Sequence, residues 1–301
     1  MSTPVRDLIG YGRRPPVVRW PGDARVAVSI VVNYEEGSER SFERDGTNEG
    51  LGEVPRRVDG PYRDLATESV YEYGSRVGVH RLLRLFDRYK VTSTFFAAAE
   101  ALEANPEVCG TLREGGHEVC AHGWRWAEEW TLDVDAQREA IKRAVRSIEA
   151  TCGQRPVGWY SRWMPSVDTR RLLVEEGGFR YDSNAYNDDL PYFVYVGKTP
   201  FLVVPYSLTF NDSRHTYGQL TAASDFLDEC RRGFDYLWEE ADRTPRMMSI
   251  GVHPRLIGQP SRASALRDFI DHVLTKGGGW FASRREIAEI WWDQHPAVEH
   301  R

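Results

Sequence analysis

Five side chains of the types that cleave polar bonds with water stand directly after short apolar runs in this 301-residue chain. Glu35 and Glu36 follow the run at 26–32, His122 follows 118–121, Arg162 follows 156–161 and His253 follows 247–252. A carboxylate can take a proton from water, an imidazole can return one to a leaving group, and a guanidinium can hold an anion in place. Brought together, they have the composition of a hydrolytic site. Adjacent carboxylates in a partly dry pocket cannot both ionise freely, so one of the pair is expected to have a raised pKa suited to acid or base work. Without its surroundings, the Glu-Glu pair reads more simply as one inward and one outward residue, each matched to a nearby arginine. His117, in a turn after Gly115 and Gly116, reads as a structural histidine.

The elements that must position these residues are legible as alternating periods. The run VAVSIVV at 26–32 is short, apolar and β-branched, as a strand buried on both faces requires. Val79, Leu82, Leu83 and Phe86 recur at helical spacing and mark a helix that docks one stripe on a sheet. Further strands are expected at 93–99, 118–122, 156–161, 201–207, 247–253 and 280–282. Helices are expected within 105–114, 135–150, 169–176, 226–237 and 265–274, with Gly115-Gly116 and Gly177-Gly178 as stops. An alternation of about seven strands with helices, and no early glycine-rich phosphate loop, predicts an α/β fold of the distorted (β/α) barrel type. In such a barrel function gathers where strands end, which is where the five residues stand.

The chain is expected to form one domain, 1–301, with 1–23 an extended, proline- and arginine-rich arm laid over the domain or over a neighbouring subunit. The segment 38–68, glycine-bearing and without apolar period, is a candidate lid or substrate loop, or equally a solvated insertion. The 39 basic and 45 acidic residues of the whole chain are interspersed, which excludes the blocks of charge that nucleic acid or an anionic membrane would call for. Charges and prolines interrupt every apolar run of the N-terminus, so a cytoplasmic protein is expected. Cys109, Cys120, Cys152 and Cys230 form no C-x-x-C pair and read as reduced, buried thiols.

The strand-end phrases, in their order, resemble those of the polysaccharide deacetylase, or NodB-homology, superfamily, over residues 26–292. The family's first motif, T-F-D-D-G, is matched by N-Y-E-E-G at 33–37. The resemblance implies a base-like position for Glu35 and a ligand-like one for Glu36. The second motif, H-S/T-x-x-H, is matched by H-G-W-R-W at 122–126, so His122 is retained while Trp126 stands where a second imidazole ligand would be. An indole has no lone pair to offer a metal. Arg162 in S-R-W-M-P resembles the arginine that orients the catalytic carboxylate, and His253 in G-V-H-P the histidine that acts as general acid or steadies the oxyanion. Phrases such as GHEVCAHGWRW and SIGVHPRLIGQP resemble the subgroup that contains cofactor-independent allantoinases.

The resemblance implies an amidohydrolase that acts on a carbon–nitrogen bond of a small molecule, with ring opening of a cyclic amide such as allantoin as the leading reading. No cofactor is expected. Zinc is disfavoured, although a weak site on Glu36 and His122 stays open. Tyr34, Trp124, Trp126, Tyr160 and Trp163 are expected to wall a flat pocket, the alternative for each being core filling. A homo-oligomer is expected. The alternatives are an N-deacetylase of amino-sugar or other N-acyl substrates and a catalytically inactive binding barrel.

Overall fold

A computed structural model describes residues 6–50, 58 and 60–297. Its nine strands are β1 (Val26–Tyr34), β2 (Thr94–Ala97), β3 (Glu118–Ala121), β4 (Gly158–Trp159), β5 (Tyr181–Asp182), β6 (Tyr192–Val196), β7 (Thr199–Val203), β8 (Arg246–Val252) and β9 (Gly279–Phe281). The helices are α1 (Phe42–Asp45), α2 (Leu65–Tyr73), α3 (Val79–Tyr89), α4 (Ala99–Ala104), α5 (Pro106–Glu114), α6 (Val134–Cys152), α7 (Thr169–Glu176), α8 (Ala223–Glu240), α9 (Pro260–Lys276) and α10 (Arg284–Gln294). One sheet runs β6-β7-β5-β4-β3-β2-β1-β8, with β9 added to β1. Every pairing is parallel except the β6–β7 hairpin, so the sheet curls into a distorted, incompletely closed barrel with helices outside. The expected barrel is therefore present. Its two extra strands are β5, too short to show a period, and β6, whose residues are only half-buried.

Strand parity divides the core in two. Along β1 all nine residues are buried, but Val26, Val28, Ile30, Val32 and Tyr34 join the cluster under the helices, while Ala27 and Val31 join the barrel interior. Asn33 continues the interior row, with Nδ2 donating to the Tyr206 hydroxyl (3.0 Å) and to Val252 O (3.3 Å). The next odd residue is Glu35, so the alternation of the strand delivers it to the barrel mouth.

The arm packs on its own barrel: Val18 and Trp20 are buried, Trp20 Nε1 donates to Arg246 O, and the Tyr11 hydroxyl donates to Pro191 O. The cysteine expectation is corrected for one pair. Helices α5 and α6 pack side by side, bringing the Cα atoms of Cys109 and Cys152 to 4.9 Å, and the two are joined by a disulfide. Cys120 and Cys230 are buried thiols. No helix among the described residues is long and apolar enough to cross a membrane.

Candidate active site

Glu35, at the end of β1, is 2% exposed and lies among three cationic or imidazole groups. Its Oε1 is 3.4 Å from His122 Nε2 and 3.8 Å from His253 Nε2, and its Oε2 is 2.8 Å from Arg255 Nη2. Burial on its own would raise the carboxyl's pKa, but the Arg255 guanidinium, with His253 and His122, outweighs it and holds Glu35 well below the usual carboxylate range. Glu35 is thus an ionised carboxylate at neutral pH.

Each imidazole is oriented from behind. His122 Nδ1 donates to the carbonyl of Tyr160 (2.8 Å), and the Tyr160 ring stacks on it at 5.0 Å. His253 Nδ1 donates to Asp212 Oδ1 (2.6 Å), whose other oxygen accepts from the backbone N–H groups of His253 (2.9 Å) and Ile257 (3.0 Å). With both Nδ1 protons committed to acceptors, both Nε2 atoms turn toward Glu35 and carry a lone pair when the rings are neutral.

Glu36 points the other way, into the layer under the helices. Its Oε2 accepts from Glu35 N (3.0 Å) and its Oε1 from Arg255 N (3.3 Å), so it braces the backbone of both neighbours. Burial, partly offset by Arg255 and reinforced by Glu35, pushes its pKa up to about 7. A single wide turn at residues 74–78, between α2 and α3, makes room for it. A Cβ at Gly74 would collide with Glu36 Oε1, and one at Gly78 with Pro254 O, so two glycines let the helix backbone close the rear of the site.

Of the residues expected to act, the fold brings together Glu35, Glu36, His122, His253, Trp126 and Tyr160. Arg162 is placed differently from its expected role. Its Nη1 donates to Trp126 O (2.6 Å) and its Nη2 to Glu49 (2.8 Å), and its guanidinium stacks on Trp126, so it anchors the segment after β1 and leaves the Glu35 carboxylate to Arg255. Tyr34 faces the helices, bonding Ser75 Oγ (3.0 Å), because it lies on the even side of β1. Trp124 lies outside the site, with Nε1 donating to Glu103 and the Arg143 guanidinium over its ring. Trp163 is 53% exposed and covers Arg162 at the rim. His117 is structural, with Nδ1 2.9 Å from Ser93 Oγ.

Two members of the site were not anticipated. Arg255 stands two residues beyond His253 in the same G-V-H-P-R phrase, which was the available signal; Asp212 sits in a short turn after β7 and has none. The described part of the segment 38–68 follows β1. It is tied down by ion pairs of Arg40 with Glu128, Arg44 with Glu100, Asp45 with Arg125 and Glu49 with Arg162. Residues 51–57 and 59 of that segment lie outside the described residues.

The residues present do not fit a tetrahedral metal centre. Glu36 is turned to backbone donors, Trp126 offers no lone pair, and the Arg255 guanidinium stands against Glu35 where a second cation would be repelled. Among the described residues no group of three His, Cys, Asp or Glu side chains could hold an ion.

Comparison with known proteins defines the class. The sequence profile of the polysaccharide deacetylase family matches residues 66–173. A Schizosaccharomyces pombe protein provisionally named a polysaccharide deacetylase is 38% identical over 318 aligned residues, 97% of this chain and 98% of its own. The crystal structure of a probable polysaccharide deacetylase from Pseudomonas aeruginosa PAO1 superposes with a TM-score of 0.92 at 45% identity, covering 97% of this chain and 99% of that one. The crystal structure of PuuE allantoinase superposes with a TM-score of 0.92 at 43% identity, with coverage of 97% and 99%. The chain belongs to the polysaccharide deacetylase family and has its NodB-like barrel. Within that class it is an amidohydrolase, a hydrolase of carbon–nitrogen bonds.

Proposed function

We propose that this enzyme opens a small cyclic amide of the hydantoin type, allantoin being the leading candidate, without a metal ion. The observation that carries the reading is an ionised carboxylate faced by two imidazole Nε2 atoms at the barrel mouth, where Glu35, His122 and His253 are buried, each at most 7% exposed. A polymer chain needs an open groove, whereas this site suits a compact substrate. The 43% identity to PuuE allantoinase over nearly the whole chain supports the same choice.

In the proposed reaction Glu35 takes a proton from a water molecule as its oxygen attacks the ring carbonyl. His122, fixed by Tyr160 O and the Tyr160 ring, keeps that water aligned through Nε2. His253, held by Asp212, delivers a proton from Nε2 to the ring nitrogen as the C–N bond breaks, leaving a carboxylic acid and an N–H group. The imide-type ring carbonyl of a hydantoin is more electrophilic than an ordinary acetamide, which eases attack by carboxylate-activated water.

N-deacetylation is the second reading, favoured by the names of the Pseudomonas aeruginosa and Schizosaccharomyces pombe relatives. A barrel that binds without catalysis is the third, and the ordered Glu35–His253–Asp212 geometry argues against it. Hydrolysis of allantoin by purified enzyme, with and without chelator, separates them. Chelator-resistant formation of the ring-opened acid is expected. Release of acetate from N-acetylated sugars in its place would support the deacetylase, and activity lost to chelator and restored by zinc would overturn the metal-free reading.

A further inference from the structure

A carboxylate that activates water and an imidazole that protonates the leaving nitrogen still leave one charge without a partner: the negative oxygen of the tetrahedral intermediate. We propose that Arg255 is a catalytic residue that stabilises this oxyanion through its guanidinium N–H groups. The inference rests on the hydrolytic reading above.

Three observations point to it. Arg255 is 5% exposed and lies beside the water-activating group, with Nη2 2.8 Å from Glu35 and Nη1 3.6 Å from Glu36. Its Nε and Nη1 are buried and have no hydrogen-bond partner among the described residues. A buried donor left without an acceptor costs about 1–3 kcal/mol, and more on a charged group; Arg255 has two such nitrogens, where Arg125, Arg162, Arg231 and Arg285 each have only Nε. The guanidinium is also rigidly held. Its backbone N–H is braced by Glu36, its charge lies over the Tyr71 ring at 4.6 Å with the Trp126 ring at 5.5 Å, and it is two residues from His253, whose own backbone is fixed by Asp212. Preorganisation of this kind makes an electrostatic stabiliser effective, because nothing has to reorient when charge develops.

The other guanidinium near the mouth does not compete for the role. Arg162 has committed Nη1 to Trp126 O and Nη2 to Glu49, which leaves only its Nε without a partner among the described residues. Trp126 therefore serves two cations at once and gives the indole at this position a use: its face shelters positive charge.

The step balances. The water oxygen bonds to the carbonyl carbon, its proton passes to Glu35, and the carbonyl π pair moves onto oxygen, where Arg255 N–H groups donate to it. When that pair returns, the C–N bond breaks and the nitrogen takes, through His253 Nε2, the proton that Glu35 removed from water, so both groups end as they began. Arg255 gains and loses nothing: burial opposes its charge, but the neighbouring Glu35 carboxylate, with Glu36, holds its pKa above the ordinary guanidinium value.

The test uses Arg255→Ala, Arg255→Lys and added guanidinium chloride at millimolar, non-denaturing concentration. In Arg255→Ala, kcat is expected to fall roughly 10²- to 10³-fold, the size of a lost oxyanion donor, with a smaller change in KM. Guanidinium should restore it at least tenfold, and Arg255→Lys should recover only part. Acetate supplies a readout that does not depend on the substrate, since either hydrolysis ends in a carboxylate. Acetate binding, followed by calorimetry, should weaken at least tenfold in Arg255→Ala. Turnover of Arg255→Ala within threefold of wild type would overturn the proposal, as would loss without guanidinium rescue in a folded variant. Equal acetate binding by both proteins would overturn it as well. A wild-type enzyme inert toward allantoin but with Arg255-dependent acetate binding would refute only the substrate assignment.

Discussion

Arg284 in the lower barrel and Arg255 at its mouth are both buried guanidiniums, but their hydrogen bonds differ. Arg284 donates through Nε to Ser183 Oγ (2.8 Å), through Nη1 to Ser249 Oγ (2.7 Å) and through Nη2 to the carbonyls of Val204 and Pro205. The nearby buried carboxylate, Glu118, is likewise complete, accepting from the Thr94 hydroxyl, the Tyr181 hydroxyl and Arg285 N. Arg255, by contrast, keeps Nε and Nη1 without an acceptor. Burial alone does not separate structural from functional charge in this barrel. Within this pair the hydrogen bonding does: Arg284 and Glu118 are satisfied and hold the strands, whereas Arg255 Nε and Nη1 and Glu35 Oε2 at the mouth lack hydrogen-bond partners among the described residues.

The largest expected effect tests the floor. Arg284→Met leaves two hydroxyls and two carbonyls in the barrel without their donor, and a stability loss of about 3–5 kcal/mol is expected by denaturant titration. A loss below about 1 kcal/mol would erase the distinction drawn here. Next is Gly74→Ala, which forces Glu36 away from its seat behind Glu35. It should cost about 1–3 kcal/mol and lower kcat/KM together, measured on the same preparation.

A subtler effect concerns pH. Glu36 is raised from 4.5 to about 7, so the folded state holds this proton more tightly than the unfolded chain does. Its contribution to stability is whole below about pH 4.5 and is lost as pH rises through about 7. Glu35 has the opposite sign: its lowered pKa contributes stability above its ordinary value that is lost as the solution becomes more acid. Thermal midpoints measured across this range should show a decline from acid to neutral pH that Glu36→Gln flattens, while the acid limb remains. An unchanged slope in Glu36→Gln would place the ionisation elsewhere. The smallest effect is expected of Trp124→Phe. This residue lies outside the mouth under Arg143, so kcat/KM should stay within about twofold and stability within about 1 kcal/mol. A tenfold loss of kcat/KM would put Trp124 back in the site.

How much of this was legible in the sequence follows from how each residue is placed. Glu35, His122 and His253 directly follow apolar runs, and a buried parallel strand announces both itself and its end. Tyr34 and Glu36 were grouped with them because nearness in sequence hides parity: one step along β1 carries a side chain from the barrel to the helices. Arg162 follows its strand in the expected way, yet its partner Glu49 comes from an aperiodic segment, so nothing local predicts the pair. Asp212 belongs to a turn, where no period exists, and its role depends on β8 placing His253 beside it. The Cys109–Cys152 bond depends on two helices packing side by side, a tertiary fact that spacing does not encode.

The central claim is that Glu35 is the base of a side-chain-only hydrolytic site. Its most direct test is Glu35→Gln, which keeps the shape of the side chain and removes its ability to take a proton. Turnover of allantoin is measured together with the shift in melting temperature that allantoin causes. In Glu35→Gln kcat is expected to fall by roughly 10²- to 10⁴-fold while the ligand-induced shift persists. A Glu35→Gln enzyme that retains turnover within tenfold of wild type would contradict it.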